Sequence, residues 1–140
     1  MAKLIWAIPC SRILLDQPSN LVSYIDALDG VAIPSFPADA PTTFIGTLWH
    51  RDGSAKIEVR IAVYDPDGKK LMDSEAVAFT FEPHHKRCRA NIGFSGFPLK
   101  GPGQFSFGVE LKKGGKWTEV LRIPFDVDQM VPAQSDGLVH

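Results

Sequence analysis

The segment from Lys56 to Glu82 carries the most regular alternation of apolar and polar positions in the chain. Ile57, Val59, Ile61 and Val63 alternate with Lys56, Glu58 and Arg60, the period of two expected of a strand with one face in a core and the other in water. Asp65-Pro66-Asp67-Gly68 predicts a reversal, with Pro presetting φ and Gly supplying the positive φ at the exit. Val77, Phe79 and Phe81 resume the alternation. Carrying the same parity back would bury Asp73 and Glu75, so a bulge or a change of sheet is expected near Asp73-Ser74.

The same pattern predicts strands elsewhere. Leu4, Trp6, Ile8 and Cys10 form the first, Asp16-Gln17-Pro18-Ser19-Asn20 a turn, and Leu21 to Leu28 the second. Pro34, Pro37 and Pro41 exclude helix and central strand, and predict an ordered crossover with Phe36 tucked beneath it. Thr43 to His50 is the third strand, joined to the Lys56 strand by a hairpin at Asp52-Gly53, a pair suited to a type I′ turn. That register sets Leu48 opposite Ile57, Gly46 opposite Val59 and Phe44 opposite Ile61 on the core face. It leaves Ile45 and Trp49 outward, beside Lys56 and Arg60.

Further on, Cys88, Ala90, Ile92 and Phe94 alternate with Arg87, Arg89, Asn91 and Gly93, and residues 96–103 form a rigid, strand-free link. Phe105, Phe107, Val109 and Leu111 face inward before a turn at Lys113-Gly114-Gly115-Lys116, while Ser106, Gly108, Glu110 and Lys112 face out. Leu121, Ile123, Phe125 and Val127 return, and the misfit of Trp117, Glu119 and Val120 predicts a second bulge. About eight strands with turn signals between them predict an all-β fold. The expected architecture is an antiparallel two-sheet sandwich, Ig-like or C2-like, with Greek-key connections. Residues 1–128 make one domain, and 129–140 a tail in which the pattern stops.

Composition adds limits. A chain of 140 residues that is 44% hydrophobic, with nine Phe, can build its own core. A net charge of −1 gives no footprint for nucleic acid. No apolar run approaches the roughly 20 residues of a membrane helix. The apolar opening is too short for a secretory core and reads as a strand, so a cytoplasmic setting with Cys10 and Cys88 as reduced thiols is expected.

Several features together resemble a group of small, uncharacterised bacterial β-sandwich domains. They are the hydrophobic opening strand, Ser35-Phe36-Pro37, the turn Tyr64-Asp65-Pro66-Asp67-Gly68, and Gly-x-Phe-x-Phe-x-Val from Gly103 to Val109. The resemblance covers nearly the whole chain and implies the fold and a bacterial setting. It carries over no catalytic residue.

Candidate chemistry is sparse. His84, His85, Lys86, Arg87 and Arg89 form a basic stretch that suits a phosphate or carboxylate. With Cys88 and Cys10 it offers zinc-type ligands, but without a short ligand pair such as CxxC, so no metal site is expected. Asp65, Asp67, Asp73 and Glu75, with Asp26 and Asp29, supply oxygens of the calcium type, yet Asp65 and Asp67 are already accounted for by the turn. There is no nucleophile elbow and no phosphate loop before a helix, so neither an enzyme nor a cofactor is expected. The outward Ile45 and Trp49, with Lys56 and Arg60, read as an interaction face. A non-enzymatic protein-interaction or self-association module is the leading expectation, and an anion- or carbohydrate-binding module the alternative.

Overall fold

The computed structural model describes residues 2–19, 21–53 and 55–130. Among them there are twelve strands and no helix: β1 (Lys3–Asp16), β2 (Leu21–Ala27), β3 (Gly30–Ile33), β4 (Ala38–Asp39), β5 (Thr43–His50), β6 (Lys56–Tyr64), β7 (Lys70–Asp73), β8 (Val77–Thr80), β9 (Arg87–Phe94), β10 (Pro98–Leu99), β11 (Gly103–Lys113) and β12 (Lys116–Gln129). No helix among the described residues is long and apolar enough to cross a membrane. One sheet has the order β2-β1-β5-β9. A second has the order β3-β12-β11-β6-β7, with β8 also paired to β6. All pairs are antiparallel except β12 with β3, which is parallel.

Local chemistry explains most elements. In the turn after β6, the Asp65 carboxylate accepts the backbone N–H groups of Asp67 and Lys69, and Gly68 takes φ +86°. The break expected at Asp73-Ser74 is present, but the chain stays on β6. There the Ser74 hydroxyl accepts the Ile61 N–H at 2.8 Å while the Ser74 N–H donates to the Ile61 carbonyl. In the last hairpin the register shifts between Val109 and Glu110, and Val120 is the extra residue. The two proline-rich links are not strand-free. Their short strands β4 and β10 pair with each other, so each supplies the backbone partners the other lacks.

Side chains from both large sheets meet in one core. Phe94 of β9 packs edge-on against Phe107 of β11 at 5.5 Å between ring centres, and Phe107 also meets Phe97 and Phe125. Phe36, before a cis peptide to Pro37, packs half-buried against this core.

The expected hairpin between β5 and β6 is corrected. β5 pairs with β1 and β9, and β6 pairs with β11, β7 and β8, so the link through Asp52-Gly53 joins two sheets. The parity of β5 reverses with it. Ile45 and Trp49 are fully enclosed, while Phe44 and Leu48 are half-buried on the opposite face. Ile57, Val59 and Ile61 do lie in the core. On β11, Gly108 and Glu110 face away from the core yet are buried under other side chains. Of the tail expected at 129–140, Gln129 closes β12 and Met130 donates to the Ile33 carbonyl. The remainder lies outside the described residues.

Candidate functional site

The outer face of the β2-β1-β5-β9 sheet carries Trp6, Gly46, Leu48, Arg87, Arg89 and Asn91, in register across three strands. This face is not open to water throughout. Tyr24 of β2 is paired with Ile13, five positions along β1 from Ile8, the partner of Gly46. In a flat sheet that offset is about 17 Å along the strand, beyond the reach of a tyrosine. Yet a Cβ built on Gly46 would lie 2.2 Å from the Tyr24 ring. The far half of the β1-β2 hairpin therefore folds back over the sheet. The bend falls at Ser11 and Asp26, where Asp26 takes φ +53° and the Ser11 hydroxyl bonds to the Ile25 carbonyl at 3.1 Å.

Tyr24 fastens the hairpin down. Its ring meets Trp6 edge-on at 5.4 Å, its hydroxyl accepts from Arg89 Nη1 at 3.0 Å, and the Arg89 guanidinium lies 5.7 Å from the centre of the Trp6 ring. Beside the hairpin the sheet carries an open cavity of about 600 Å³, within the size range of small-molecule sites, and most of its lining residues are exposed to solvent. It is lined by Leu15 and Val22 of the hairpin, by Leu48, Arg87, Cys88 and Arg89 of the sheet, and by Thr80, Glu82 and His85 from β8 and the loop that follows it. Arg87 has no ion-pair partner among the described residues.

The structure thus divides the basic stretch. His85, Arg87 and Arg89 reach the cavity, because residues two apart on β9 share a face and a turn closed by His85 N–H to the Glu82 carbonyl brings His85 alongside. His84 and Lys86 do not line it, and all five of these residues are exposed. Sequence reasoning missed Leu15, Val22, Leu48 and Tyr24. The signal was available: β5 is apolar at both parities, which implies cover on both faces.

The proposed interaction face does not form. Ile45 and Trp49 belong to the core, the Trp49 indole N–H donating to the Thr47 hydroxyl at 2.7 Å. Lys56 and Arg60 sit on the other sheet. Arg60 Nε donates to Glu110 at 2.6 Å, and its guanidinium stacks 4.4 Å from the Trp117 ring.

For metals, Cys10 pairs with Phe44 and Cys88 with Trp49, so the two thiols project to opposite faces of one sheet. Both are free. No group of three or more metal-ligating side chains gathers among the described residues. Asp65 is engaged by its own turn, and Asp73 by Lys70 at 3.1 Å. Burial pushes the Cys88 thiol above its ordinary value, the opposite of the shift that activates a nucleophilic cysteine.

No curated protein matches this chain. A family model does match, over residues 6–128, a span that includes all but the first three residues of β1 and the last of β12, and every residue of the cavity. The chain belongs to DUF6941, a family of unknown function.

Proposed function

We propose that this protein is a non-enzymatic binding module that holds a small anion beneath the β1-β2 hairpin. The observation that carries the reading is the cavity in which Arg87 and Arg89 face Leu15 and Val22. A guanidinium with no carboxylate partner among the described residues is a ready two-pronged donor to a two-oxygen anion. We read the fold as an Ig-like or C2-like sandwich with its ends joined by crossovers, supported by the single core that both sheets share, and the setting as the bacterial cytoplasm. Carbohydrate is disfavoured, because Trp6 and Tyr24 pack edge-on against each other and beside Arg89 rather than forming an open platform.

The test is a thermal-shift panel of carboxylates, phosphate monoesters and neutral sugars, on the native chain and on Arg87→Gln. A ligand at a hundred times its Kd adds about 2.7 kcal/mol of stability, a rise in Tm on the order of 10 °C for a domain of this size. An anion that stabilises the native chain and not the variant supports the site. A panel without a stabilising anion, or a shift unchanged by Arg87→Gln, rejects it.

Self-association is a second reading, favoured by a different observation. The upper side of the same hairpin exposes Leu14 at 51% and Leu21 at 68%, and β2 is an open sheet edge.

A further inference from the structure

The cavity also constrains what kind of anion enters it. We infer that the ligand is an amphipathic organic acid, with an oxyanionic head at Arg87 and Arg89 and an aliphatic body between Leu15, Val22 and Leu48. This rests on the anion-binding reading and narrows it.

Size argues first. A cavity of about 600 Å³ greatly exceeds the roughly 30 Å³ that one water occupies, so a bare inorganic ion would leave most of it to solvent and gain nothing from the leucines. Charge argues next. Arg87 and Arg89 against Glu82 leave an excess of one positive charge before His85 is counted, which selects a monoanionic head over a neutral one. Polarity is divided in space: the cationic groups come from β9, while Leu15 and Val22 hang from the hairpin. Leu15 is 51% exposed, so an aliphatic body laid against it removes apolar surface from water, at about 25 cal/mol per Å². Arg89 is already oriented by the Tyr24 hydroxyl and the Trp6 ring, so one arm of the head site is set before the ligand arrives and loses little freedom on binding.

Calorimetry with octanoate, octyl phosphate, acetate, inorganic phosphate and octanamide tests the inference. Octanoate or octyl phosphate is expected to bind at least tenfold more tightly than its short counterpart, and octanamide at least tenfold more weakly than octanoate. Arg87→Gln should weaken the amphipathic acids by about tenfold or more. Leu15→Asn should remove the advantage of octanoate over acetate, and Val22→Thr serves the same purpose if Leu15→Asn lowers the Tm of the unliganded protein. The comparison of octanoate with octyl phosphate identifies the head. Should acetate or inorganic phosphate bind as tightly as the long acids while still depending on Arg87, the amphipathic class is overturned and the anion site stands. Binding that ignores Arg87→Gln, or no binding by any of the five, overturns both.

Discussion

Trp49 is enclosed with its one polar atom satisfied: the indole N–H donates to Thr47 Oγ1, and the Thr47 hydroxyl in turn donates to the Ala90 carbonyl. Both residues are fully buried, so the two bonds form a short chain across β5 and β9 that water cannot replace. Thr47→Val keeps the shape and removes the hydroxyl, leaving the indole N–H unpaired at a cost of about 1–3 kcal/mol. Trp49→Phe removes the orphaned donor. Urea unfolding of the two single variants and the double variant should therefore show a double-mutant cost below the sum of the singles, whereas strict additivity would mean that the bond contributes nothing. This residue also marks where reading the sequence went wrong. Alternation fixes which residues share a face but not which face is the core, and on β5 Phe44 and Leu48 compete with Ile45 and Trp49 on equal terms. The Asp52-Gly53 turn signal supplied a partner, β6, and the parity followed from the wrong partner. Residues with only one apolar parity, such as Ile57 to Val63, were placed correctly because the pattern had no rival.

At the scale of elements, strands and turns were legible wherever the cause was local. Thr43 to His50, the Asp65–Gly68 turn and the extra residue near Val120 all follow from alternation, φ preference or its local failure. The fold-back of the β1-β2 hairpin was not legible, because it depends on a tyrosine meeting a glycine two strands away. Gly46 has the small profile that the contact needs. A Cβ there would lie 2.2 Å and 2.8 Å from two atoms of the Tyr24 ring, closer than packed atoms sit, so Gly46→Ala must lift the ring and with it the Arg89 bond. Because Tyr24, Trp6 and Arg89 hold the hairpin down together, the loss should be local. Backbone amides of Leu21–Ala27 are expected to exchange hydrogen at least tenfold faster in the variant, while those of β11 and β12 keep their protection. Equal acceleration everywhere would indicate general destabilisation, and no acceleration would show that Tyr24 does not secure the hairpin.

For the whole molecule, the open edges decide whether the chain stays alone. The four-stranded sheet ends at β2 and β9, and the larger sheet ends at β3 and at β7 with β8. An edge with unpaired backbone groups invites another strand unless charge or cover blocks it. β9 carries arginine at 87 and 89, and β3 is only four residues long. β2 is seven residues long, begins with Leu21 exposed at 68%, and runs beside Leu14 on the same side of the hairpin. Two copies related by a two-fold axis can pair β2 with β2, making one continuous sheet and covering Leu21 on both. The hairpin would then be engaged along its β2 edge by a second copy, leaving its lower side, with Leu15 and Val22, free. Sedimentation equilibrium should show the mass rising above the 15.4 kDa of one chain as concentration increases. Leu21→Lys places a charge on the pairing edge and should return the mass to that of one chain at every concentration. A native chain that remains monomeric throughout, or a Leu21→Lys variant that associates as readily, would remove β2 as the contact.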